Sequence, residues 1–443
     1  MADKREQLYG ESLSRLIRME TVSVRGQHGG ENFSAFHALL EEEYPLLFST
    51  AERFDFEGSL LLRWKGTDPK CAPILLMNHH DVVEANGTWK YPPFSGAIAE
   101  ERVWGRGTLD TKGGLSAMLR GAEELMAEGF VPKQDVYLVS TCTEETDGYG
   151  GEKIAAFLKG KGLAFDLILD EGGMILHDPI GGADGVFAMI GVGEKGFLNL
   201  KFTARSRGGH ASAPGKDTPL VRLGKFMAEA EKGKVFMAEI SPAVKEMLSC
   251  FAPTMKGGMK LACGHTGLFG PILRKAMPAL SPSAGALLRT TLAFTMCGGS
   301  EGANVLPGEA WVVGNMRYSH HQGRDASLEA ITRLAKRYGV ETEVLTDGGE
   351  SPITDHQKAG FQFLSGAVEK LFPGVIPVPY VTTGASDCRY FGSLSENCLR
   401  FVPFYIDKQQ YGSVHGEDEN VNLSCLPKAV DFYRYVITEW KSE

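Results

Sequence analysis

Ile74-Leu75-Leu76-Met77-Asn78-His79-His80-Asp81 is the stretch that decides the fold: a short, continuous apolar run that ends in imidazoles and a carboxylate. A run of that kind suits a strand buried on both faces, in a parallel or mixed sheet covered by helices. The pattern recurs. Val136-Tyr137-Leu138-Val139 leads into Thr143-Glu144-Glu145, and Leu167-Ile168-Leu169 into Asp170-Glu171-Gly172-Gly173. Between the first two runs, Leu115, Met118, Leu119, Ala122, Leu125 and Met126 fall at helical spacing before Gly129. This is an α/β layout. In open α/β sheets the carboxyl ends of strands border the ligand crevice, which predicts that these polar ends converge.

From Phe197 the pattern changes to alternation, with Leu198, Leu200 and Phe202 on one side and Asn199, Lys201 and Thr203 on the other. That period indicates a half-exposed antiparallel sheet. Apolar stripes predict helices over about 218–232 and 325–338, and a last helix carries Val430, Tyr433, Val436, Ile437 and Trp440. Residues 240–300 are rich in Gly, Pro and Met without a clean period, and no element is assigned there. The simplest organisation is a discontinuous α/β domain, 1–195 plus 348–443, with a smaller α+β domain, 196–347, inserted between its halves.

Composition narrows the function classes. At 443 residues the chain exceeds what one core normally organises. A net charge of -9 and the lack of a Lys/Arg cluster argue against a nucleic-acid partner. The N-terminus runs straight into an amphipathic pattern and no apolar stretch approaches a membrane span, so a cytoplasmic protein with no membrane partner is expected. The eight cysteines are scattered and read as reduced thiols.

The strand ends carry the chemistry. Together with Asp110, in the Gly-rich turn from Trp104 to Gly114, they offer nitrogen and several carboxylates without thiolates. Such a donor set suits zinc, manganese or cobalt. Glu144 and Glu145 are adjacent at a strand end and point in opposite directions, so one can hold metal while the other faces substrate. That division supplies a Lewis acid and a general base. Any one of these groups alone is more often structural; their combination is what points to hydrolysis. By the same alternation His80 should point away from the site, and the pair His320-His321 reads as a solvated loop.

The ordered motifs resemble those of the M20 metallopeptidases, closest to the carboxypeptidase S and N-acyl amino acid hydrolase branch. They run from Leu16 to Ser23, through His79-His80-Asp81, Trp89, Pro92-Pro93-Phe94, Gly105 to Gly113, Thr143-Glu144-Glu145, Leu169 to Gly173, Gly209-His210 to Pro214, Asn304 to Pro307 and Arg317, to His415–Glu419. The resemblance implies a mixed-sheet, zinc-exopeptidase-like catalytic domain with an inserted α+β lid and dimerisation domain. It implies two divalent ions, zinc foremost with cobalt or manganese as alternatives. His79 and Asp170 would bind one, Glu145 and His415 the other, and Asp110 would bridge them. Glu144 would be the general base and Asp81 the carboxylate that orients His79. His210 would help stabilise the oxyanion in a partner subunit of a homodimer. Asn304 and Arg317 would position substrate, with Arg317 as a fork for an α-carboxylate; a structural ion pair is the other reading of this arginine. The family often has a cis peptide after the bridging aspartate, which sequence does not reveal for Asp110-Thr111.

The expected reaction is metal-dependent cleavage of an amide or peptide bond next to a free carboxylate, as by a carboxypeptidase, dipeptidase or N-acyl amino acid hydrolase. Aminopeptidase or amino-acid deacetylase activity is the alternative with the same metal centre. A noncatalytic dimeric binding protein should have lost a ligand or the base, whereas here all are present.

Overall fold

The computed structural model describes residues 4–280, 282–349 and 351–441. The three apolar runs lie side by side in the middle of a ten-stranded mixed sheet, as strands Val136–Thr141, Ile74–His79 and Leu167–Asp170. All three are parallel, with Met77 opposite Val139 and Leu76 opposite Leu169. Alternate side chains take opposite faces. Leu76, Leu138 and Leu169 join the core beneath the helices that run over 112–127, 359–371 and 425–439. Leu75, Tyr137 and Ile168 join a second core with Ile154, Leu158 and Phe391 on the other face. Burial on both faces is why these strands read as unbroken apolar runs.

The alternating segment forms strand Gly196–Arg205, an inner member of a separate four-stranded antiparallel sheet with Thr291–Gly298, Glu309–Tyr318 and Glu341–Asp347. Its inward residues Leu198, Leu200 and Phe202 pack against Leu223 and Phe226 of helix Pro219–Glu231 and Ile331 and Leu334 of helix Gly323–Arg337. Those are the two helices expected there.

The stretch left unassigned is helical: Pro242–Phe251, Gly257–Gly264, Thr266–Leu280 and Pro282–Leu288. Gly257, Gly258, Pro271 and Pro278 break its periodicity. These helices pack on the ten-stranded sheet rather than the four-stranded one, where Phe251 meets Phe187 edge-on at 4.7 Å and Met247 shares a core with Met189 and Val378.

The Gly-rich turn before helix Lys112–Ala127 is held by a buried carboxylate. Glu419 Oε1 accepts from the N–H groups of Leu109 (2.7 Å) and Asp110 (3.1 Å). Its Oε2 accepts from Gly107 N–H (3.1 Å) and from the buried Arg106 guanidinium (2.7 Å). Gly107 is required in this turn, because its φ is +91° and a Cβ would come within 2.8 Å of Val82. Removing Glu419 therefore strands a buried guanidinium and frees the backbone that carries Asp110. Glu419→Ala is expected to cost about 3–5 kcal/mol of stability in urea unfolding; a loss below about 1 kcal/mol would contradict this account of the turn.

Candidate metal centre and active site

Three side chains from different elements meet at the carboxyl ends of the central strands. His79, Asp110 and Glu145 each present a ligand atom within 4.8 Å of the others. His79 ends its strand with Nε2 2.9 Å from Asp110 Oδ1. His415 approaches from the other side, its Nε2 3.0 Å from Asp110 Oδ2 and 3.1 Å from Glu145. Asp110 thus turns one carboxylate oxygen to each imidazole. The peptide bond that follows it is cis.

Asp81 is fully buried behind this group and accepts the N–H groups of Glu144 (3.2 Å) and Glu145 (3.1 Å) on its two oxygens. Its carbonyl oxygen accepts from His79 Nδ1 at 2.9 Å, which orients the ring so that Nε2 faces Asp110. One residue therefore sets the ring of His79 and the turn bearing both glutamates.

Electrostatically the centre is crowded with buried negative charge. Burial raises Glu144 well above the usual carboxylate range, with His79 opposing and Asp387, Glu145 and Glu171 adding to it. Glu145 is raised by burial and by Asp110. Burial would also raise Asp110, but hydrogen bonds with His415 and His79 hold it low. His415 is pushed up to about 10 by its contacts with Asp110 and Glu145. Burial would lower His79, yet its hydrogen bonds to Asp110 and Asp81 raise it. Two imidazoles facing clustered carboxylates, with no thiolate among them, form the donor set that a hard or borderline divalent cation compensates. The residues therefore fit such ions.

The other expected site residues are placed differently. Glu144 lines the same cavity as Asp110, Glu145 and His415. Asp170 has both oxygens engaged by backbone, Oδ1 with Glu171 N–H (2.8 Å) and Oδ2 with Cys388 N–H (2.9 Å), and burial brings it to about 6. Its neighbour Glu171 lines the cavity instead, held well above its ordinary value by burial and then by Asp110 and Asp170. Sequence reasoning passed over Glu171, although strand-end alternation made one of the two face the crevice.

Arg317, in the four-stranded sheet, stacks over Phe197 at 4.9 Å, and its buried Nη1 finds no hydrogen-bond partner among the described residues. Burial and Arg389 lower its pKa while Glu144 and Glu194 oppose them. His210 and Asn304 are exposed together on a small ribbon where Gly209–His210 pairs with Val305–Leu306, and neither lines the cavity. His80 turns away, with Nδ1 2.7 Å from Ser140 Oγ and its ring stacked on Phe36. His320 and His321 contact different groups, the carbonyl oxygens of Ser351 and Met237.

The cavity measures about 760 Å³. One end holds the acidic and histidine groups. The remaining lining is mostly apolar, including Met174, Leu176, Met189, Met247, Leu287 and Ile406, with polar and charged groups among it at His177, Asp178, Thr382, Arg400 and Lys408.

Residues 75–439 match the model of peptidase family M20/M25/M40. The human N-fatty-acyl-amino acid synthase/hydrolase PM20D1 is 30% identical over 430 residues, covering 95% of this chain and 86% of that protein. The probable carboxypeptidase S-like 2 of Dictyostelium discoideum is 29% identical over 415 residues, covering 91% of this chain and 79% of its own. Among solved structures, the M20 family metallo-carboxypeptidase Sso-CP2 from Sulfolobus solfataricus shares the fold with a TM-score of 0.71 at 18% identity, over 98% of this chain and 99% of that one. Fold and relatives together define the class, an enzyme that hydrolyses peptide or linear amide C–N bonds. The chain belongs to peptidase family M20/M25/M40, in the branch its motifs indicated.

Metal binding should be coupled to pH through His415. Its pKa is raised from 6.5 to about 10, so its protonated contacts stabilise the metal-stripped protein fully below about 6.5 and are lost as pH rises through about 10. A divalent ion that takes this imidazole as a ligand would also have to displace that proton. Both effects widen the gap in melting temperature between zinc-loaded and chelated protein as pH rises from 6.5 towards 10. Groups that titrate alike in both forms cancel in the comparison. His415→Gln should flatten the trend, and a gap that narrows with pH in the parent chain would refute the coupling.

Proposed function

We propose that this enzyme hydrolyses N-acyl amino acids with long apolar acyl groups, releasing the free amino acid. The observation that carries this reading is the cavity: the donor cluster sits at one end of a chamber whose other walls are mostly apolar. A chamber of about 760 Å³ with mostly apolar walls has room for an acyl chain beside the reacting amide. The N-fatty-acyl-amino acid relative points the same way.

In this reading two divalent ions, zinc foremost, are held by His79, Asp110, Glu145 and His415 with Glu171, and Asp170 supports Glu171 from the backbone side. When bound, such ions polarise the scissile carbonyl and acidify a water at neutral pH. Glu144 takes the proton of the attacking water on a carboxylate oxygen and returns it to the leaving nitrogen; its raised pKa suits both transfers. Asp81 keeps His79 and Glu144 in register. Arg317 receives the substrate α-carboxylate through its unpartnered Nη1.

The division into 1–195 with 348–443 and an inserted 196–347 belongs to the same proposal, as does a homodimer formed through the insert. Met296 on the edge strand Thr291–Gly298 and Leu220 and Val221 on helix Pro219–Glu231 give the insert exposed apolar surface for such a contact. A partner could then supply His210 and Asn304, which do not line the cavity of their own chain. Among the described residues no helix is long and apolar enough to cross a membrane.

A panel of N-acyl amino acids of increasing chain length, with dipeptides, aminopeptidase substrates and N-acetyl amino acids as comparators, tests the reading directly. Identified products should show long-chain substrates cleaved fastest, with activity lost on chelation and restored by zinc. Faster cleavage of dipeptides or acetyl substrates would reject the acyl assignment. Glu144→Gln should lower turnover about 10²- to 10⁴-fold with metal content intact.

The ligand assignment has its own readout in elemental analysis. Glu171→Gln should reduce metal per chain more than Asp170→Asn. The opposite order would return the ligand role to Asp170.

A further inference from the structure

The helical segment 242–288 walls the chamber with Met247, Ala284 and Leu287, and its far side faces solvent. On helix Thr266–Leu280 the residues Thr266, Gly270, Leu273 and Met277 are buried, as a packed helix requires. The opposite stripe is the unusual one. Leu268, Pro271, Ile272 and Lys275, spaced i, i+3, i+4 and i+7, are all exposed, with Leu268 at 75% and Ile272 at 61%. An ordinary surface helix puts polar residues on that side. The preceding helix Gly257–Gly264 adds Met259 and Leu261, also exposed.

Charge makes the patch more specific. No Asp or Glu occurs between Met247 and Ser300, whereas Lys256, Lys260, Arg274 and Lys275 all fall there and are exposed. The segment itself is thus cationic and apolar on a chain of net charge -9, with Glu246 at its start and Asp184 on the adjoining loop the acidic groups beside it. A second copy of the chain is a poor occupant, since a two-fold contact would set the same lysines against one another. An acyl boundary beneath anionic headgroups satisfies both properties at once.

We propose that this outer face of the cap docks on an anionic lipid surface. Leu268 and Ile272 enter the boundary between headgroups and acyl chains, and Lys256, Lys260, Arg274 and Lys275 pair with lipid phosphates. The sequence-level expectation of no membrane partner rested on the lack of a spanning segment, which says nothing about contact with one leaflet. Docking itself is independent of the substrate assignment. Its consequence, that acyl substrates reach the chamber from the lipid phase, rests on the proposed acyl specificity.

The test is co-sedimentation of the full zinc-loaded chain, without substrate, with vesicles of phosphatidylcholine alone or mixed equally with phosphatidylglycerol. Partitioning should be about tenfold higher on the anionic vesicles and weaken as salt is raised. Leu268→Ser/Ile272→Ser should reduce it about tenfold or more, with hydrolysis of a soluble short-chain substrate unchanged. Should that variant fail to fold, Lys260→Glu/Lys275→Glu carries the test with the same expected loss. A parent chain that stays in the supernatant with both vesicles, or variants that sediment like the parent, would overturn the proposal. So would sedimentation velocity showing that these substitutions abolish a dimer while vesicle binding is absent. Because no substrate is present, failure here leaves the acyl-hydrolase reading standing, and failure of the substrate panel leaves docking standing.

Discussion

The centre depends on holding like charges together out of water. Asp110, Glu144, Glu145 and Glu171 face one cavity, and two unit charges 4 Å apart repel by about 4 kcal/mol even at an effective dielectric constant near 20. Left alone, such a cluster would splay apart or take up protons. The two imidazoles on Asp110 offset part of the repulsion and hold that carboxylate low, whereas burial and neighbouring carboxylates drive up Glu144, Glu171 and, despite its contact with His415, Glu145. What remains uncompensated is charge of the sign that divalent cations neutralise.

The scaffold that resists this repulsion is a set of buried clamps behind the site, each joining segments far apart in the chain. Asp81 ties His79 to the turn of Glu144 and Glu145, and Glu419 ties the Asp110 turn to the segment that delivers His415. On the far side Glu194 holds Ser386 and the buried Arg400, which is strand neighbour to Asp170. Each clamp is a charged group surrounded by donors, so moving any of them would leave a buried charge unpaired. Rigidity at the centre thus follows from the same burial that makes it electrostatically unfavourable.

How much of this was legible follows from periodicity. The central strands could be read because burial on both faces leaves unbroken apolar runs, and strand Gly196–Arg205 because one covered face leaves alternation. The convergence of His79, Asp110, Glu145 and His415 followed from strand-end placement and motif order. Which of Asp170 and Glu171 lines the cavity was not legible, since it turns on which of two neighbours at a strand end faces inward, and a single residue's rotation leaves no mark in composition. The cap was hidden for a different reason. A helix apolar on its inner face and again at Leu268 and Ile272 on its outer face has no polar side to define its period.

The cap also changes how substrate recognition divides between parts of the chain. It shares a core with Phe187, Met189 and Val378 of the large sheet, whereas Arg317, His210 and Asn304 lie on the four-stranded sheet or the ribbon beside it. The two pieces of residues 196–347 are therefore anchored to different cores. Motion of the four-stranded sheet would carry the proposed carboxylate-binding groups and leave the chamber wall of Met247 and Leu287 in place. On the proposed reading the acyl chain meets an apolar pocket first, and the polar end of the substrate is recognised by groups on the separately packed four-stranded sheet. Such an order commits binding energy from the unreactive chain to positioning the amide, so that shortening the acyl group would lower turnover as well as affinity.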